Sequence, residues 1–262
     1  MEYTPISKIS WIGSEKPYLD CPNIEMHEHI VIGRYGGNTI AGAYKNEDGF
    51  LVWASAEQNW EFTVLLDAHA TSDSANLIIN ELKAQHDSLY KTLSSPVPQI
   101  FQDIEKTIID IFTSDQFLTA CKKLNGESSC LICLRKENYL WWFSVGDCML
   151  FLSHAELARW GQTILNQRNF YEWIGRVNTF DLTVPCYSSG RRELRTGINE
   201  IVLVSDGFLD TEYGMEIIVK FLEGKVTVKE FFEFLHKERT IDSTTMIHWT
   251  VNNPKESSNP SN

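Results

Sequence analysis

Five stretches of this chain set a carboxylate beside a short apolar run. Glu47 and Asp48 stand in "GAYKNEDGF", where a turn enters "FLVWASA". Asp67 follows "FTVLL", Asp147 follows "WWFSVG", Asp206 follows "IVLVS", and Asp242 precedes "STTMIHW". Each junction alone is ordinary turn chemistry, because a short Asp side chain hydrogen-bonds nearby backbone. Gathered in one place, the same acids would repel one another, and burial would disfavour their charged forms. Hard divalent cations, which take several oxygen ligands, relieve both penalties. Strand ends from different parts of the chain converging on one rim of a sheet are one way to bring together acids so far apart in sequence.

The elements that must position them follow from periodicity. Residues 1–40 read as short strands and turns, with Gly36-Gly37 a turn. Strand patterns occupy 50–55 and 62–66. Ile78, Leu82, Leu89 and Leu93 repeat at helical spacing, with Ser72, Asp73 or Ser74 at the start. After the break "SSPVPQ", a second helix runs through Ile100, Ile104, Ile108 and Ile111, and a shorter one covers 115–124. Strands follow at 129–135, 139–145, 148–152 and 200–205, then helices at 213–222 and 227–238, then a last strand, "TTMIHWTV". Between them "HAELARWGQTILNQRNFYEW" reads as partly helical and "RRELRTGINE" as a polar loop. Runs of strands alternating with runs of helices point to an α+β layered fold. No repeat or linker divides the chain, so 1–252 reads as one domain and the polar segment 253–262 as a disordered tail.

The totals exclude some classes. The 262 residues carry a net charge of −12, which disfavours contact with a phosphate backbone, so no nucleic-acid partner is expected. The first twenty residues lack a signal-peptide pattern and the apolar runs are too short to span a bilayer; no membrane partner and a cytoplasmic location are expected. The six cysteines show no disulfide-framework spacing. Cys130 and Cys133 lie three apart in a strand pattern, on opposite faces, and read as buried small hydrophobes. His27 and His29 read as a surface pair. "GRYGGN" lacks the Lys-Ser/Thr of a phosphate loop, and Trp141 and Trp142 read as packing residues.

In order along the chain, "KNEDGFLVW", "FTVLLDAHA", "GESSCLICL", "WWFSVGDCMLFL", "EIVLVSDGFLD" and "IDSTTMIHW" resemble the six motifs of the metal-dependent protein serine/threonine phosphatases, the PPM or type 2C family. The resemblance spans residues 36–250. It implies a four-layer α/β/β/α sandwich of two antiparallel sheets flanked by helices, with a metal cluster at one end. By motif, Asp67 would bridge two Mg²⁺ or Mn²⁺ ions. Asp206 and Asp242 would hold the first, and Glu47 and the Ala68 carbonyl the second. Asp48 would support a metal-bound water, while Asp147 and Asp210 would form a weaker third site with Asp206. The implied reaction is hydrolysis of phosphoserine or phosphothreonine in a phosphoprotein substrate by a metal-activated water, without a phosphoenzyme. His69 would protonate the leaving oxygen. Residues 153–197 match the family's variable flap.

Three positions depart from the pattern. Ala43 stands where the family Arg grips the substrate phosphate, Ala68 replaces a Gly, and Met149 replaces the Arg of the G-D-S-R motif. An Arg–phosphate fork is charge-assisted and directional, and alanine supplies neither property. Lys45 is the nearest substitute, as a point charge rather than a fork, with Arg34 a second candidate. The alternative reading is a regulatory or binding module that keeps the fold with little turnover.

Overall fold

The computed structural model describes residues 6–259. In chain order its elements are β1 (Ser7–Ile12), β2 (Asn23–His27), β3 (Ile30–Tyr35), β4 (Gly49–Ser55), β5 (Trp60–Ala68), α1 (Asp73–Ala84), α2 (His86–Leu93), α3 (Gln99–Phe112), α4 (Asp115–Cys121), β6 (Glu127–Lys136), β7 (Tyr139–Val145), β8 (Met149–Ser153), α5 (Ala155–Ala158), β9 (Ile174–Gly175), β10 (Ser188–Glu193), β11 (Gly197–Val204), α6 (Gly214–Leu222), α7 (Val228–Glu238) and β12 (Thr244–Asn253). One sheet runs β1-β4-β5-β6-β7-β10, with β9 on β6; the other runs β2-β3-β12-β11-β8.

Packing follows the two-residue period of the strands. Phe50, Val52, Leu65, Leu131, Leu150, Leu203 and Ile247 turn into the space between the sheets. Their neighbours Leu51, Phe62, Val64, Leu66, Ile132 and Phe143 turn outward under Ile78, Leu82, Ile104 and Ile108 of α1 and α3. On the other sheet, Phe151, Val202, Val204 and Met246 meet Ile218, Phe221, Phe231 and Leu235 of α6 and α7. The result is the expected α/β/β/α sandwich. Strands covered on both faces explain why their sequences are nearly continuous apolar runs.

The register brings the expected strand ends together. Gly49 lies opposite Leu66, Asp67 opposite Ser129, and Cys130 opposite Val145. In the second sheet Val204 lies opposite both Met246 and Met149. The start of β4, the end of β5, the start of β6, the end of β7, the end of β11 and the start of β12 therefore share one pole of the sandwich.

Local readings differ from the structure in three places. The helix through Ile78 and Leu93 is two helices broken at Gln85, where His86 turns its ring edge-on to Trp53 at 5.2 Å and meets Lys8 Nζ at 2.7 Å. The stretch after Ser153 is partly helical as expected, at Ala155–Ala158; beyond it the chain runs beside β8, with Leu152 N–H donating to Thr163 O and Leu165 N–H to Leu150 O. The stretch 191–200, read as a polar loop, is instead the end of an edge strand, β10, on β7, with Arg191 opposite Trp141, and the start of β11. Edge strands often carry charge, so its composition hid it. The tail is not free where described: Asn253 pairs with Gly197 in the sheet, and Arg195 donates to Ser258 O and Asn259 Oδ1 at 2.9 Å each. Residues 260–262 lie outside the described residues. Among the described residues no helix is long and apolar enough to cross a membrane.

Candidate active site

Asp67 is the penultimate residue of β5, its side chain buried at the acid-rich pole. Burial, then the charges of Asp48, Asp206, Asp242 and Asp147, push its carboxyl well above the usual carboxylate range. A Coulomb effect falls with distance, so four acids acting on one group lie close to it. Asp206 follows β11 and opens a single 3-10 turn, Asp206–Asp210. Its carboxyl is raised by burial and by Asp147, against the opposing effects of an Asp67 hydrogen bond, Arg168 and His69. Asp242 sits on the exposed rim, yet desolvation of its carboxyl, then Asp206, lift its pKa to about 6. The Ser243 N–H donates to its Oδ1 at 2.9 Å.

Asp48 has the most enclosed setting. It is fully buried, Ser205 Oγ donates to its Oδ2 at 3.0 Å, and Ser243 Oγ donates to its Oδ1 at 2.9 Å. Burial outweighs these bonds and lifts its pKa to about 7. Ser205 and Ser243 precede and follow the key acids Asp206 and Asp242, so each pair brings an acid and a positioning hydroxyl to the same place. Asp147 is held by Ser129 Oγ at 2.6 Å. Gly146 before it has φ +88°, and a Cβ there would meet Ser129 Oγ at 2.1 Å, so only glycine permits this close turn.

Glu47 is half-buried beside Asp48, with Lys45 Nζ 2.5 Å from its Oε1. His69 lies just past Asp67 and Ala68, its ring edge-on to Trp173 at 4.6 Å. Ala68 completes β5 in regular strand conformation and packs under the helices, so its side chain is accommodated; the left-handed residue of this turn is Ala70, at φ +69°. Asp210 Oδ2 accepts from the Ile241 N–H at 2.6 Å. A cleft of about 280 Å³ opens between Ala43, Tyr44, Lys45, Glu47, Asp210 and Asp242.

Other singled-out residues fall elsewhere. Arg34 is almost fully buried and committed to Asn23 and Glu25. His27 bonds Ser7 Oγ at 2.7 Å and His29 bonds Glu61 Oε1 at 3.0 Å, so they form no shared site. Cys130 and Cys133 are buried, and burial pushes both thiols up. Trp141 packs under the helices and Trp142 between the sheets. A larger cavity, about 540 Å³, lies at the opposite pole beside Arg135, whose guanidinium is spent on buried Glu61 and on Asn59. It contains none of the clustered aspartates.

Arg168 was not legible as a site residue. It comes from the irregular stretch after α5, and its Nη2 donates to Asp206 Oδ2 at 3.0 Å.

The donor set fits a hard divalent ion: all-oxygen, anionic, and with more buried negative charge than the neighbouring cations offset. Among the described residues, no three His, Cys, Asp or Glu side chains already close into a cage around one point.

No family model matches the sequence, and a comparison with curated proteins finds no match. Solved structures do match. A bacterial serine phosphatase shares 17% identity over 87% of this chain and 100% of its own, with a TM-score of 0.60. Serine/threonine phosphatase Stp1 from Staphylococcus aureus shares 14% identity over 88% of this chain and 94% of its own, with a TM-score of 0.57. RsbX in complex with magnesium shares 16% identity over 88% of this chain and 100% of its own, with a TM-score of 0.53. The chain has the fold of the PPM, or type 2C, serine/threonine phosphatases.

Proposed function

We propose that this protein is a metal-dependent phosphatase acting on phosphoserine or phosphothreonine in a protein substrate, in the cytoplasm. The observation that carries the reading is Asp67, buried and pushed up by four other aspartates on a phosphatase fold. Divalent Mg²⁺ or Mn²⁺, two per site, would supply Lewis-acid activation of a water near neutral pH. Asp67, Asp206, Asp242, Glu47 and the Ala68 carbonyl would hold them. Asp48, fixed by Ser205 and Ser243, would orient a water by hydrogen bonding. His69, exposed at the rim, would deliver a proton to the leaving serine or threonine oxygen. Lys45 at the cleft would meet the phosphate by charge. Six unpaired cysteines accord with a reducing compartment.

Mn²⁺-stimulated hydrolysis of an aryl phosphate or a phosphothreonine peptide tests this. Asp67→Asn and Asp206→Asn should each abolish it. Undiminished turnover in EDTA, or in either variant, would overturn the reading.

One observation favours a second reading, a binding or regulatory module with little turnover. Ala43 is buried, and the nearest cation, Lys45, is already paired with Glu47. Ala43→Arg separates the two. A modest change in an active protein supports the enzyme, whereas a jump from no activity to clear activity supports the module.

A further inference from the structure

Arg168 is held in place by more than its own ion pair. Asn166, two residues earlier, is buried: its Nδ2 donates to Ser144 Oγ at 3.0 Å and to Cys148 O at 2.8 Å, and its Oδ1 accepts from Leu150 N–H at 2.8 Å. One residue later, Asn169 N–H donates to Gly146 O at 2.8 Å. These bonds fasten the segment to the turn between β7 and β8 and aim the intervening side chain at the acids. Arg168 Nε donates to the Asp147 carbonyl at 3.0 Å. Its Nη2 lies 3.0 Å from Asp206 Oδ2 and 3.8 Å from Asp147 Oδ2. The Phe170 ring covers the guanidinium at 4.6 Å.

We propose that Arg168 is a built-in cation that fills the place between Asp147 and Asp206 where a third divalent ion would otherwise bind. The inference rests on the phosphatase reading only for the two ions expected at Asp67. A guanidinium stays charged at any working pH, and here it is tethered to the chain, so it neither dissociates nor needs metal in solution. Two of the remaining carboxylate oxygens have hydrogen-bond partners of their own: Asp147 Oδ1 accepts from Ser129 Oγ, and Asp210 Oδ2 from the Ile241 N–H. The acids at this corner are completed by an arginine, and the site takes two divalent ions with no weak third.

The test counts bound Mn²⁺ by equilibrium dialysis at neutral pH, using the full-length protein, Arg168→Met and Arg168→Lys. Arg168→Gln, closer in shape and polarity, is run alongside in case the Met variant fails to fold. Two ions in the wild type and the Lys variant, and a third, weaker ion in the Met or Gln variant, support the proposal. Three ions in the wild type, or no added ion in the folded Met or Gln variant, overturn it. A wild type that binds none while the variant gains one would overturn the two-metal phosphatase reading and leave the arginine's role supported. None in either would overturn both.

Discussion

Lys45 and Glu47 form an ion pair at the mouth of the acid cluster, with Lys45 Nζ 2.5 Å from Glu47 Oε1 and 3.1 Å from the Ala70 carbonyl. Desolvation works against the lysine charge, but the Glu47 hydrogen bond and charge outweigh it and raise the Lys45 pKa. The cation is thus maintained beside the cleft that Ala43 leaves without a guanidinium. Lys45→Ala should raise KM for a phosphopeptide about tenfold, as loss of one charged hydrogen bond does, with a smaller change in kcat. Lys45→Arg should restore much of it. An unchanged KM in the alanine variant would remove Lys45 from substrate binding.

The acid cluster should make metal-free stability fall as pH rises. Asp48 is lifted from 3.8 to about 7 and Asp242 to about 6. Raised carboxyls bind more protons folded than unfolded, so stability is highest below about pH 4 for these groups and declines through about pH 7. For Asp48 alone the loss is at most ~4 kcal/mol. Thermal melts in EDTA should show this decline, and the gain in Tm on adding Mn²⁺ should be larger at pH 8 than at pH 5. Asp67→Asn should melt higher than wild type in EDTA at pH 8 while losing most of the Mn²⁺ response.

His69 as proton donor predicts a split between substrates. His69→Gln should lower kcat by roughly 100-fold on a phosphothreonine peptide, whose alkoxide is a poor leaving group, in line with general-acid contributions. The loss should be far smaller on an aryl phosphate that departs without protonation. Equal losses on both would assign His69 to positioning, through its contact with Trp173.

His248 should act against the acid cluster, with a contribution to stability that is lost in acid. It lies on β12 edge-on to Phe221 at 5.1 Å, with neither ring nitrogen hydrogen-bonded. Burial lowers its pKa from 6.5 to about 4. The folded state therefore binds fewer protons than the unfolded chain between those values. Its contribution is intact above about pH 6.5 and lost as pH falls toward about 4, on the order of 3 kcal/mol in all. Urea titrations of His248→Leu against wild type should show the stability difference shifting in the variant's favour from pH 7 to pH 4.5. A difference independent of pH would refute this.

The sequence by itself located the aspartates, the apolar strands that carry them and the order in which they recur. Those signals are local: a strand covered on both faces must be apolar, and a turn at its end favours Asp. Three-dimensional contact decided which groups share a charge. Asp48 is held by Ser205 and Ser243, 157 and 195 residues away. Arg168 reaches Asp206 from a segment with no periodic pattern, fastened by Asn166, and Asp210 accepts from the backbone N–H of Ile241. The edge strand 188–193 and the docked residues 254–259 were missed for the same reason. Their polar side chains carry no hydrophobic period, and only the partner across the fold determines what they do.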